Sequence, residues 1–364
     1  MPQVMLGDIV SPSVIKRKGN DDIPFLSMHK VNGLRPNLFS GETDSTAELS
    51  KVAKYGQLVT GLHMDEGSIW VQNVVPEGAV SAAYGVYDVD LSRVDPGYLN
   101  YALHTRQCIE FYSHSGVGNN MRRCKVPWET LKTMPIRLPS LEEQASSVRL
   151  MRSIERLWYK IFDACTNVNF AEHALLEESI KDPESKSIED IATLTFGRSL
   201  PSDKGEGESW VPLCSGASDF GPVFIEPQKE ICSPDRVVDP GTVLLSIRDP
   251  VGRVNITPEK CAIGRGVVGL TPKQGICETS FLYLSLSAME GMLYSMAYGI
   301  IKSIGAKEVR NIRIDCIPMD QQKNLAVTFD KLEELRKVLE NMLIRTVDLQ
   351  MRVLEERFSV SVVQ

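Results

Sequence analysis

The 364-residue chain has eight cysteines but no C-x-x-C pair, and its five histidines are not at the spacing of a zinc ligand set. Neither a metal site nor a disulfide framework is expected. The cysteines (108, 124, 165, 214, 232, 261, 277 and 316) are read as reduced thiols, mostly buried. No apolar run approaches the ~18 residues of a membrane span, so none is expected. The opening residues MPQVMLGDIV carry no basic stretch ahead of an apolar core. No signal peptide is expected, and the chain is assigned to the cytoplasm.

Catalytic loops are missing as well. There is no Gly-x4-Gly-Lys-Ser/Thr phosphate loop for a translocase, and no Asn- or Asp-Pro-Pro-aromatic loop to hold a flipped base. Pro234-Asp235 is not followed within about thirty residues by the acidic-x-Lys triplet of a nuclease core. Gly116-Val117-Gly118 and Gly264-Arg265-Gly266 are lone glycine pairs and read as turns. Ser, His and Asp are present, but only geometry can make them a triad. No catalytic residue, metal or cofactor is assigned to this chain.

Strong positive charge is also lacking. The net charge is −7, and residues 1–139 carry 14 Lys+Arg against 14 Asp+Glu. No later segment is strongly basic, whereas DNA affinity depends on cations that neutralise phosphates. A nucleic-acid reader of this composition would use local clusters, or basic partner subunits would supply much of the phosphate contact.

What the chain does have is an internal repeat with a period near 180 residues. Two helical stretches, beginning near Leu141 and Met319, align at a shift of 178. Ile154, Leu157, Ile161, Ala164, Val168, Ala171 and Leu175 sit at alternating steps of three and four, and Leu332, Leu335, Leu339, Met342, Thr346, Leu349 and Val353 occupy the equivalent places. Such steps put one side chain per turn on a single stripe, the seam of a coiled coil. Each stretch is expected to be a long helix, the first about 60 Å long at ~1.5 Å per residue. The plainer reading packs each stripe on its own domain. Two matched stripes nevertheless have each other as the obvious partner, antiparallel if the halves are related by a pseudo-twofold axis.

The intervening segments repeat more weakly. Gly56-Gln57-Leu58-Val59 corresponds to Gly241-Thr242-Val243-Leu244, and Gly67-Ser68-Ile69 to Gly252-Arg253-Val254, each read as strand, turn, strand. Pro76-Glu77 matches Pro258-Glu259 ahead of apolar strands read at Ala79 to Val89 and Ala262 to Leu270. Tyr98 to Leu103 matches Phe281 to Leu286, a short helix in each half. Both halves close on an extended segment, a proline and an acidic or amide-rich helix start, Pro139-Ser140-Leu141-Glu142-Glu143-Gln144 and Pro318-Met319-Asp320-Gln321-Gln322. The boundaries follow: a first domain over 1–139, a long helix over 140–182, a second domain over 183–318, a second helix over 319–358 and a tail over 359–364.

Leu138-Pro139-Ser140-Leu141-Glu142-Glu143-Gln144 resembles the junction at which the specificity subunit of a type I restriction-modification system passes from a recognition domain into a helix. Trp210-Val211-Pro212-Leu213, Leu244-Leu245-Ser246-Ile247-Arg248 and Val251-Gly252-Arg253-Val254 are similar to strand segments of such a domain, and Gly7-Asp8-Ile9 and Glu189-Asp190-Ile191 to its openings. The likeness covers nearly the whole chain. It departs from the pattern at Gly61-Leu62-His63-Met64, where His63 stands for Arg248, and at Met319-Asp320-Gln321-Gln322. The resemblance implies an α+β fold of two repeated α/β target-recognition domains, each followed by a long helix, with the helices paired as an antiparallel coiled coil. It further implies a bipartite double-stranded DNA target and two adenine methyltransferase subunits as partners, which would carry the S-adenosylmethionine. Restriction subunits could join them, and the chain itself would not be an enzyme.

Base readout and phosphate contact need hydrogen-bonding and cationic side chains on loops. In the first domain Asn119, Asn120, Arg122, Arg123 and Lys125 surround a glycine turn, with Lys30, Asn32 and His63 added. In the second, Arg248, Arg253, Arg265, Lys302 and Lys307 lie in or beside the corresponding turns. The competing reading of each cation is a solvated surface charge. Arg149, Arg152 and Arg156, on the first helix, are read as exposed or partner-facing. Two rival functions stand beside DNA reading: a duplicated scaffold whose helix pair joins other proteins, and a hydrolase using the repeated domains as a cleft.

Overall fold

The computed structural model describes residues 3–13, 23–30, 33–37, 50–117, 124–180, 183–198, 210–232, 234–299 and 302–360. The chain forms two compact units, Met1–Ile161 with Met342–Gln364, and Phe162–Asn341. Each long helix therefore contributes one segment to each unit.

Unit 1 contains β1 (Gln3–Met5), β2 (Val10–Pro12), β3 (Leu26–His29), β4 (Gly33–Pro36), β5 (Lys51–Lys54) and β6 (Leu58–Thr60). There follow β7 (Ile69–Val71), β8 (Glu77–Val80), β9 (Gly85–Val89), α1 (Pro96–Ala102), α2 (Arg106–Ser115), α3 (Trp128–Leu131), β10 (Pro135–Arg137) and the first part of α4 (Leu141–Ser179). An antiparallel sheet runs β2-β9-β6-β7, and β1 pairs with β10, the strand leading into α4. Unit 2 contains β11 (Glu184–Ser187), α5 (Ile188–Ile191), β12 (Ala192–Phe196), β13 (Trp210–Cys214), β14 (Glu230–Cys232), β15 (Val237–Val238), β16 (Val243–Ser246) and β17 (Val254–Ile256). It continues through β18 (Cys261–Ile263), β19 (Val267–Pro272), α6 (Thr279–Ala288), α7 (Glu290–Ser295), α8 (Ala306–Arg310) and β20 (Arg313–Cys316) into α9 (Met319–Phe358).

The sheet order β12-β19-β16-β17 reproduces β2-β9-β6-β7, and β11-β20 reproduces β1-β10. The repeat persists at single bonds. Gly56 and Gly241 both adopt positive φ, at 86° and 80°, where a Cβ would be strained. Their amides donate to Gln72 O at 2.7 Å and Thr257 O at 2.8 Å. One difference from the sequence reading concerns the runs at 79–89 and 262–270. Each is two strands, β8 with β9 and β18 with β19, because turns at Ser81–Tyr84 and Gly264–Gly266 send the chain to another sheet.

The helix starts explain the amide-rich junctions. In unit 1, Gln144 is fully buried. Its Oε1 accepts from the Asp95 amide at 2.8 Å, and its Nε2 donates to Arg93 O and Pro139 O, both at 2.9 Å. In unit 2, Gln322 does the same: it accepts from the Glu278 amide at 2.9 Å and donates to Ile276 O at 3.3 Å and Ile317 O at 2.9 Å. Each glutamine thus ties the helix start to the loop before the domain's own short helix and satisfies backbone groups that burial would otherwise orphan.

The helices pair antiparallel within each unit. In unit 1, Met151 and Ile154 of α4 share a core with Val353 and Phe358 of α9. In unit 2, Leu176 packs with Leu325 and Phe329. Glu172 meets Arg336 there, while Ser179, further along α4, lies across a cleft from Gln321, earlier on α9. The seam itself needs correction. Ile154, Ile161, Val168 and Val353 are buried, and Ala164, Leu332 and Leu339 are half-buried. Leu157, Leu335, Met342 and Leu349 are 39–46% exposed. The buried stripe on α4 runs Ile154, Trp158, Ile161, Cys165, Val168, Glu172, stepping four then three. A helix wedged against both a partner and its own domain buries a different and wider stripe than a two-helix seam. Mutually satisfied polar side chains occupy several of its places.

Gln144→Leu and Gln322→Leu are each expected to cost about 2–4 kcal/mol by stranding one buried amide and two carbonyls. Glu142→Ala, on the exposed face of the same turn, is expected to stay within about 0.5 kcal/mol. Urea denaturation of the three variants checks both.

Candidate nucleic-acid interface

In unit 1 three of the expected cations and a further lysine gather at one end of the domain. His63 precedes a tight turn whose Gly67, at φ 86°, receives the chain after Glu66. Lys30 pairs with Glu66 on that turn. His63 forms a parallel bridge with Cys124, through Cys124 N to Leu62 O at 2.8 Å and Met64 N to Cys124 O at 3.0 Å, which places Lys125 alongside. Lys125 Nζ donates to Ala83 O at 3.0 Å, and Lys51 Nζ donates to the next carbonyl, Tyr84 O. Partial burial lowers the Lys51 pKa, and the neighbouring Lys125 charge lowers it further. Two ammonium groups held on one turn make a concentrated positive point.

Asn32, Asn119, Asn120, Arg122 and Arg123 lie outside the described residues. The ends of the 118–123 segment are described and are joined: the Val117 amide donates to Lys125 O at 3.0 Å, and Gly116 leaves no room for a Cβ beside Cys124 Sγ.

In unit 2 the corresponding turn, 246–253, is the centre. Ser246 N bonds Arg253 O at 2.9 Å, and the Ser246 hydroxyl donates to Pro250 O at 2.6 Å. Gly252, at φ 94°, packs under α7. Ile247 N donates to Gly266 O at 2.9 Å, Ile304 N donates to Ile247 O at 3.0 Å, and Arg248 bridges Ser303. These bonds bring Arg248, Arg265 and Lys302, all exposed, onto adjoining loops. Arg253 is exposed but engaged with Glu290 at 3.8 Å. Lys307 is exposed on α8, outside these bonds.

Two cations were overlooked in the sequence. Lys51 carried no local signal. Arg198 did: Gly197-Arg198 is the same dipeptide as Gly252-Arg253 and Gly264-Arg265. Arg198 bridges Gly264, so it stands beside Arg265, and a Cβ on Gly197 would lie 2.0 Å from Gly264 O. Among the described residues no three His, Cys, Asp or Glu side chains are grouped to hold a metal ion. Of the eight cysteines six are buried and two half-buried. No helix among the described residues is long and apolar enough to cross a membrane.

Residues 180–347 match the family model of the type I restriction modification DNA specificity domain. A curated Methanocaldococcus jannaschii protein, described as the MjaX type I restriction enzyme specificity subunit, is 27% identical over 274 residues, 68% of this chain and 63% of that relative. Over these spans the chain is similar to type I restriction-modification specificity subunits. The fold of solved chains from type I restriction-modification systems is shared along nearly the whole length of this chain. A structure solved for complex assembly and conformational transition of the type I R-M system superposes with a TM-score of 0.68 at 20% identity, covering 98% of this chain and 97% of that one. The S subunit from M. genitalium gives 0.59 at 11% identity, covering 99% and 96%. The HsdS subunit from Thermoanaerobacter tengcongensis gives 0.51 at 20%, covering 98% and 96%. In this chain the fold is α+β, with two repeated domains each followed by a long helix and the helices antiparallel.

Gly197→Ala is expected to cost about 1–3 kcal/mol, since the added methyl must displace backbone rather than a flexible side chain. Ala substitution at Gly216, where a Cβ meets nothing within 4 Å, is the matched control. Chemical denaturation midpoints of the two variants check it.

Proposed function

We propose that this chain is a type I specificity subunit that reads a bipartite double-stranded DNA target, one half-site for each of its two repeated domains, and performs no catalysis itself. The observation that carries the proposal is the placement of basic side chains about the same turn of both copies of the repeat: Lys30, Lys51 and Lys125, with His63, about the turn at 63–67, and Arg248, Arg265, Arg198 and Lys302 about the turn at 246–253. A duplicated surface of one chemistry suits a split site, and loops held by short backbone bonds suit direct readout.

The modest number of cations suits a reader that acts inside a complex. We assign two adenine methyltransferase subunits as partners, with S-adenosylmethionine bound to them and restriction subunits able to join. Support comes from the long helices, whose outer faces expose Leu157, Tyr159, Met342, Ile344, Val347 and Leu349. Rows of exposed apolar side chains on this scale mark protein interaction surfaces. Helix length would then govern the number of unread base pairs between half-sites, favouring near-whole turns of ~34 Å.

Selection from random duplexes by the complex with its methyltransferase is expected to enrich a two-part motif. Absence of one leaves the scaffold reading in its place. Arg265→Ala and Arg198→Ala are each expected to weaken binding and to reduce the slope of log K against log salt by about 1 for each phosphate no longer neutralised. Deleting one heptad from α4 is expected to shorten the spacer while both half-sites stay unchanged, as read by methylome sequencing. Ile344→Asp with Val347→Asp is expected to abolish co-purification of the methyltransferase while the helical circular dichroism persists.

A further inference from the structure

A buried cluster of charge interrupts the helix pair in unit 2, in a stripe that is otherwise mostly apolar. Arg336 of α9 donates to Glu172 and Asn169 of α4, and to Glu333 one turn back on its own helix at 2.8 Å. Glu172, Glu333 and Arg336 are 6–7% exposed. Burial pushes the Glu172 carboxyl up to about 7; Arg336 offsets this only in part, and Glu333 adds to it. Replacing such a network by apolar side chains is often neutral or stabilising, so stability alone does not account for it.

The internal repeat supplies the comparison. At the shift of 178, Glu172 corresponds to Gln350, Arg336 to Trp158, Glu333 to Glu155 and Asn169 to Val347. Trp158, Glu155 and Gln350 line a cavity of about 580 Å³ in unit 1, where Glu155 accepts from the Tyr101 hydroxyl at 2.9 Å. The equivalent place there holds no buried cation. Because α4 and α9 are repeats of one another, α4 could in principle pair with α4 of a second copy, and α9 with α9. In the observed register an α4–α4 pair would bury Glu172 against Trp158, with no guanidinium opposite. An α9–α9 pair would set Arg336 against Gln350, with no carboxylate across the seam. Only α4 with α9 satisfies both charges.

We propose that the Glu172–Arg336–Glu333–Asn169 cluster is the pairing-specificity element of this chain, making α4 choose α9 in one register over a like helix of a second copy. Each wrong pair strips a buried charge of its cross-helix partner, Glu172 of Arg336 or Arg336 of Glu172, whereas the exposed apolar residues favour all pairs alike. The inference does not depend on DNA reading and stands or falls separately from it.

The test uses the full chain, isotopically light and heavy, unfolded together, refolded and treated with an amine cross-linker. Wild type is expected to give α4–α9 links, with mixed-isotope Lys160–Lys160 and Lys337–Lys337 links at background. The triple variant Glu172→Leu, Glu333→Leu, Arg336→Met is expected to melt cooperatively and to raise those mixed-isotope links by about tenfold or more. A folded triple variant with the wild-type link pattern overturns the proposal. Should that variant fail to fold, the reversal Glu172→Arg with Arg336→Glu decides. It is expected to return the links to the wild-type level, whereas Arg336→Glu alone raises them. A double reversal no better than the single one overturns the proposal as well.

Discussion

Both cores of this protein depend on the two long helices meeting, and the core of unit 1 cannot be closed by contiguous sequence. Unit 1 buries its short helix and sheet only when α9 returns to it from the far end of the chain. Tyr98, fully buried, donates to both Arg137 O at 3.1 Å and Arg357 O at 3.3 Å, and its ring lies 4.9 Å from that of Phe358. Unit 2 in turn takes Phe329 and Leu325 from the start of α9 and Leu176 from the end of α4 into one core. Antiparallel pairing of two long helices is therefore a condition of both cores, and the sheets are arranged around it.

That condition accounts for the two glutamine ties. A helix that must meet a distant partner has to leave its own domain in a fixed direction, and Gln144 and Gln322 fix it by bonding to two loop carbonyls and one loop amide each. It also accounts for the division of labour along the helices. Inner positions hold Ile154, Ile161, Val168 and the Glu172–Arg336 cluster, and outer positions expose apolar residues such as Leu157, Ile344 and Val347. The turns at 63–67 and 246–253, by contrast, are held by backbone bonds and positive-φ glycines, so their exposed side chains can change without disturbing either core.

The two-domain, two-helix fold was legible in residues because duplication leaves paired signals. Gly56 with Gly241 and Gln144 with Gln322 occur at matching places, and each pair makes the same bonds. A period of seven in hydrophobicity announced two long helices, whose observed bounds are Leu141–Ser179 and Met319–Phe358. The face they bury was less legible. Hydrophobicity favoured Leu157 over Trp158 and Leu335 over Arg336, yet the structure buries Arg336 and exposes both leucines. A polar residue reads as a surface residue until the partner that satisfies it is known, and that partner lies more than 160 positions away.

The sequence by itself determined the duplication, the helix periodicity and the absence of catalytic loops, since these are properties of order and spacing along one chain. Only the tertiary structure decided which cations share a surface. It brought in Lys51 through the carbonyl beside the one that holds Lys125, and Arg198 through Gly264, and it tied Arg253 to Glu290. It also decided which stripe of each helix faces inward. Both depend on contacts between residues remote in sequence, and such contacts leave no trace in local pattern.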